Sequence, residues 1–147
     1  MNDSDLMKML GGFDASNYLR ALIAVVKLHG VEPVEREYVE ARAAMLGVDT
    51  APLWAETITE FPPLTEDFGV VTRRVIVRDC IMLGCVDGEY SDKEREWVHR
   101  IAAWLEVGEE ACDNIEDWLH RYYALMEEQE ALLSGFDPPV KEIPPEE

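Results

Sequence analysis

The chain has 147 residues, 48% of them apolar, and a formal net charge of −18. That is one ordinary domain with enough apolar side chain for a single core. The charge excludes a nucleic-acid surface, which needs clustered Lys and Arg, and equally an anionic membrane surface; it fits cations, a basic partner or plain solubility.

Strand signals are nearly absent, and helical periodicity runs through the whole chain. Residues 3–11 read as a short first helix stopped by Gly11-Gly12. Ser16 or Asn17 can cap a second helix running to His29, which Gly30 ends. Pro33 suits the first turn of a third helix, where its missing N–H is not needed, and Gly47 closes that helix after Leu46. Asp49 or Thr50 caps a fourth, shorter helix through Trp54 and Ile58, stopped at Phe61-Pro62-Pro63. Thr65 opens a long fifth helix over 66–86, and Ser91 with Glu94 forms an S-x-x-E capping box that opens a sixth, ending near Val107-Gly108. A last helix spans 109–133, and the proline-rich acidic tail, 134–147, reads as extended and mobile.

Two stretches share one plan. Leu28-His29-Gly30 leads through a short acidic turn to Glu35-Arg36-Glu37-Tyr38-Val39, and Val86-Asp87-Gly88 leads likewise to Glu94-Arg95-Glu96-Trp97-Val98. The Glu-Arg-Glu triplets are 59 positions apart (94 minus 35), and Met45-Leu46-Gly47-Val48 and Trp104-Leu105-Glu106-Val107 keep that offset. Self-similarity of this kind predicts a duplicated helix–turn–helix unit, here about 16–60 and 66–130. The expected fold is a single all-α domain over 1–133, a compact bundle of about seven helices with pseudo-twofold symmetry.

The Asp87-Gly88 turn invites a calcium-loop reading, with Gly88 at the sixth place and Glu94 at the twelfth. Leu83 and Cys85 would then fill the first and third places, and neither offers an oxygen. A cation could sit at Asp87, Glu89, Asp92 and Glu94 only with a carboxylate brought from elsewhere, such as Asp79. The plainer reading is that Asp-Gly ends one helix and Glu94 caps the next, with acids near a helix N-terminus complementing its dipole.

Other chemistry finds little support. Cys80, Cys85 and Cys112 make no C-x-x-C or recognisable Cys/His motif; they read as small buried side chains, and no zinc site is expected. His29, His99 and His120 lack H-E-x-x-H spacing, and no G-x-S-x-G, G-x-G-x-x-G or G-x-x-x-x-G-K-[ST] is present, so an enzyme is not expected. Glu109-Glu110 and Glu127-Glu128 read as solvated faces. Trp118, Tyr122, Tyr123 and Met126 recur at helical spacing and read as core, or as a docking patch if part stays exposed.

The segment Cys85-Val86-Asp87-Gly88-Glu89-Tyr90-Ser91-Asp92-Lys93-Glu94-Arg95 resembles the A-D-G-E-x-S-x-x-E-R turn of the TerB-like family, and Ile101-Ala102-Ala103-Trp104-Leu105 is similar to its following I-A-x-x-L pattern. The resemblance covers roughly 16–130. That family includes tellurite-resistance TerB proteins and the N-terminal domain of membrane-anchored DnaJ-type co-chaperones. The resemblance implies an all-helical, pseudo-twofold fold and a non-enzymatic part in tellurite or chemical-stress resistance. It further implies a divalent cation (Ca, Mn or Mg) held by acidic residues and a protein partner of the TerC membrane-protein type. Asp87, Glu89 and Glu94 match the acidic places of the motif; Asp79, two helical turns earlier, could share their face. The first copy departs from the pattern, with His29 in place of the Asp, and a second cation site is not expected there. The acidic N-terminus carries no secretory signal, and the chain reads as cytoplasmic or as held at the inner membrane by its partner. Two readings stand: a cation-binding stress module that docks a partner protein, and a metal-independent acidic adaptor.

Overall fold

The computed structural model describes residues 14–57, 68–85 and 89–135. Among these the chain is all helix: 81% is helical and no strand occurs. Six helices are present: α1 (Ala15–His29), α2 (Pro33–Leu46), α3 (Ala51–Trp54), α4 (Val70–Cys85), α5 (Asp92–Trp104) and α6 (Glu109–Ser134). The helix expected over 3–11, the Pro62-Pro63 stop and the tail lie outside the described residues.

The helix ends follow capping chemistry. Asp14, rather than Ser16 or Asn17, caps α1: its Oδ1 accepts the Asn17 N–H at 3.1 Å, one turn in. Glu35, the third residue of α2, reaches back to the Glu32 N–H at 3.0 Å. The Ser91–Glu94 capping box is present at α5, with the Glu94 N–H on Ser91 Oγ at 3.1 Å. The far ends of α2 and α5 close alike. Gly47 (φ 70°) and Glu106 (φ 58°) are left-handed, and the next amides, of Val48 and Val107, bond back to the Ala43 and Ala102 carbonyls at 3.1 and 2.8 Å. This is the Schellman closure, normally given to glycine. It stops α5 at Trp104, three residues before the expected end. Phe68 and Gly69 precede the first turn of α4, so that helix starts at Val70 instead of 66.

α1 is the central rod. From Tyr18 to Val26 every residue but Arg20 is buried. One side packs with α2 and α3 through Leu19, Leu22, Val39, Ala43 and Leu53; the other, through Ala21 and Val25, joins a core of Ile76, Ile81, Val98, Ile101, Leu105 and Leu119. α4 lies between α1 and the α5–α6 pair and contributes to both clusters. α6 is different. Its buried residues are Cys112, Glu116 and Leu119, all in the first half; none of the residues from 120 to 134 is buried.

Candidate functional site

The acidic residues singled out in the sequence do not form one group. Asp87 and Gly88 lie outside the described residues. Glu89 is exposed. Glu94 is half-buried, and its Oε1 is taken by the Ser91 N–H and hydroxyl at 3.4 and 3.1 Å. Its Oε2 faces Gly84, where an added Cβ would stand 3.0 Å from it and from the Tyr90 ring.

Asp79, itself fully buried, belongs to a separate network. The Tyr18 hydroxyl donates to its Oδ2, and the Tyr38 hydroxyl to its Oδ1 at 2.7 Å. Arg78 donates to Oδ1 at 3.2 Å, and Arg42 lies 3.7 Å from it while also donating to the Tyr38 hydroxyl at 3.0 Å. Every partner is a donor, so the buried carboxylate is compensated. Burial, then the Asp79 charge, pushes the Tyr18 and Tyr38 hydroxyls far above the ordinary tyrosine value. Asp79 therefore ties α1 and α2 to α4 rather than facing the Glu89–Glu94 turn.

The two turns meet at a crevice of about 330 Å³ lined by His29, Glu35, Ser91, Glu94, Trp97 and Arg100 among others. His29 Nδ1 lies 3.0 Å from Glu35 Oε2, and its ring rests on Trp97 with centroids 4.5 Å apart. His29, at the C-terminal end of α1 where the helix dipole favours a basic group, thus also has a specific acidic partner.

A further buried acid lies between α5 and α6. Glu116 is 5% exposed. Its Oε2 accepts from the Tyr90 hydroxyl at 2.8 Å and lies 3.3 Å from Arg95 Nε, while Oε1 is 2.8 Å from His99 Nε2. Cys112 Sγ is 3.8 Å and Asp113 Oδ1 3.7 Å from that same nitrogen. Burial, then the charges of Glu116 and Asp113, pushes the Cys112 thiol up to about 11. Glu116 in turn raises the Arg95 guanidinium above its ordinary value. The expectation that no cysteine meets a histidine is overturned: they are 13 positions apart, on different helices, and only the packing of α5 on α6 brings them together. The one signal in the sequence was Cys112 and Glu116 four apart, on one helix face.

The aromatic stripe of α6 also departs from a core role. Trp118 is 51% exposed, and Tyr122, Leu125, Met126, Leu132 and Leu133 are exposed beside it; Tyr123 packs against the core. Trp118 and Tyr122 stack at 5.6 Å. Trp118 borders a groove of about 550 Å³ between α4 and α6, with Val71, Val75, Ala111 and Ile115.

Comparison with protein-family models, curated proteins and solved structures finds no match to this chain. No helix among the described residues is long and apolar enough to cross a membrane.

Proposed function

We propose that this chain is a non-enzymatic interaction module that docks a basic amphipathic helix of a partner protein along α6 and its groove with α4. The observation that carries the reading is the exposed apolar stripe of Trp118, Tyr122, Leu125, Met126, Leu132 and Leu133 on α6, which has no buried residue after Leu119. Residues at this spacing form one face, and contiguous exposed apolar surface marks an interaction site. Charge selects the occupant. α6 carries eight carboxylates and a single arginine, so a second copy of this chain would bring like charges together, whereas Lys and Arg flanking an apolar helix face would complement them.

On the TerB resemblance we propose tellurite or chemical-stress resistance as the setting of such a module, with a TerC-like membrane protein as its partner. The duplication belongs to the same reading. It is supported by the shared offset of 59 linking Glu32–Glu35 to Ser91–Glu94, Val39 to Val98, Ala43 to Ala102 and Gly47 to Glu106, each matched in position or burial. The metal-dependent version keeps Asp87, Glu89 and Glu94 as ligands and loses Asp79, whose oxygens are committed to two tyrosines and two arginines. With so much of its shell committed elsewhere, the turn favours the metal-independent adaptor.

The test is fluorescence anisotropy of a labelled Leu/Lys amphipathic peptide, beside a scrambled peptide of the same composition. The amphipathic peptide binds more tightly, and Trp118→Ala with Leu125→Ser removes the difference. Equal binding of both peptides, or no effect of the double variant, refutes stripe docking. Binding that needs added Ca²⁺, Mn²⁺ or Mg²⁺ and fails in Glu89→Gln/Glu94→Gln would restore the metal-dependent version.

A further inference from the structure

We propose that His99, Cys112, Asp113 and Glu116 form a binding site for a zinc-class divalent transition metal between α5 and α6. The site is separate from the acidic turn and from the α6 stripe, and does not depend on either.

The geometry comes first. His99 Nε2, Cys112 Sγ and a Glu116 oxygen all lie within 4.8 Å of one another. From Nε2 the distances are 2.8 Å to Glu116 Oε1, 3.7 Å to Asp113 Oδ1 and 3.8 Å to Cys112 Sγ. With zinc bonds of about 2.0–2.2 Å to N or O and 2.3 Å to S, the edges of a ligand tetrahedron are roughly 3.3–3.6 Å. The His99–Glu116 contact would open by about half an ångström, and the other two would close by a few tenths. The Cys112–Glu116 pair, which lies within 4.8 Å, would close to the same edge length. Cys112, Asp113 and Glu116 all lie within one turn on a single side of α6, and His99 faces them from α5.

The surroundings are those of a ligand set held in advance. Tyr90 and Arg95 both bind Glu116 Oε2, which leaves Oε1 aimed at His99. Outer hydrogen bonds that fix a ligating carboxylate are a regular part of metal sites. Cys112 and Glu116 are buried, His99 is largely so, and Asp113 is half exposed, giving an ion a way in from one side. Arg95, also half exposed, is the resident cation, with its Nη2 on Asp113 at 3.2 Å. A dication would take Asp113 from it, while Arg95 kept its place at Glu116 and offset the third anionic ligand.

Ligand chemistry selects the ion. A thiolate beside an imidazole suits zinc and its neighbours and is wrong for Ca²⁺ or Mg²⁺, which want oxygen alone. Binding forms one metal–sulfur, one metal–nitrogen and two metal–oxygen bonds. The thiol proton leaves to solvent, the proton shared between His99 Nε2 and Glu116 Oε1 moves to Nδ1 or to solvent, and no electron moves.

Co²⁺ tests this directly, because a thiolate bound to Co²⁺ gives an intense near-ultraviolet charge-transfer band and tetrahedral geometry gives strong visible bands. One equivalent of Co²⁺ on the folded full-length chain should give both, and Zn²⁺ should bleach them. Cys112→Ser should abolish the charge-transfer band, and Cys85→Ser should leave it intact. Asp113→Asn, at an exposed position that tolerates change, should weaken Co²⁺ about 10-fold or more. The wild-type spectrum and Asp113→Asn decide the matter even if Cys112→Ser fails to fold. A wild-type titration without a charge-transfer band, a band that survives Cys112→Ser, or one lost in Cys85→Ser overturns the proposal.

Discussion

Among the described residues three carboxylates are buried, Glu35, Asp79 and Glu116, and the company of the last two differs. Around Asp79 stand two tyrosines and two arginines, groups that all donate towards the carboxylate, and the Tyr38 hydroxyl's own acceptor side is taken by Arg42. Around Glu116 stand a tyrosine and an arginine, but also an imidazole, a thiol and a second carboxylate. The first set closes on itself and can only hold helices together. The second has lone pairs to spare, so its packing role and a ligand role can share the same atoms. Burial of an acid does not announce function; the chemistry of its neighbours does.

The comparison can be broken at its strongest point. Asp79→Ala leaves Arg42 and Arg78 without their shared anion, and the loss of one partner from a buried charge cluster costs about 3–5 kcal/mol. Urea denaturation should show that fall, and a cost below about 1 kcal/mol would mean the network does not hold the bundle. Tyr38→Phe removes a single donor from Asp79 and should cost about 1.5–3 kcal/mol, the range for a hydrogen bond to a charged group. Tyr90→Phe should cost less, because Tyr90 is less buried than Tyr38 and the lost partner is more readily replaced by water. Equal losses in the two tyrosine variants would erase the distinction between the networks.

A pH series sharpens the contrast. The Cys112 thiol is raised from 9.0 to about 11 on folding. Between these values the unfolded chain gives up a proton that the folded chain keeps, so the contribution is full below pH 9 and is lost as pH rises towards 11. Buried Cys80 and the raised tyrosines push in the same direction. Metal-free protein should therefore lose stability on the alkaline side, with a shallower slope in Cys112→Ser, read as melting temperature against pH. The smallest stability effect belongs to Trp118→Ala. At that half-exposed site the change should stay within about 0.5 kcal/mol, even though peptide docking is weakened.

Much of the fold was legible because caps are local. Ser91 with Glu94, Pro33 at a first turn and Gly47 after Leu46 each act within one helical turn, and the structure shows all three. Boundaries failed where a residue took an uncharacteristic role, as when Glu106 closed α5 in the left-handed conformation usually left to glycine. The Asp79 network was not legible, because Tyr18, Tyr38 and Arg42 reach it from α1 and α2 and no spacing encodes how those helices are rotated about α4. The same limit hid His99 beside Cys112. The α6 stripe was read as core for a different reason: helical periodicity shows that a face is apolar, not whether anything lies opposite it.

The free half of α6 has a consequence for kinetics and cost. Beyond Tyr123, which still packs against the core, the eleven residues 124–134 carry no buried side chain, a length of about 16 Å at the ordinary helical rise. A helix of that length is marginal in water without tertiary support. Its amides should exchange with solvent far faster than those of α1, and a partner must order the segment as it binds. Part of the contact energy is then absorbed in ordering, which leaves affinity modest. A partner held this way can let go by letting the helix melt from its free end, while the core of α1 and α4 stays folded.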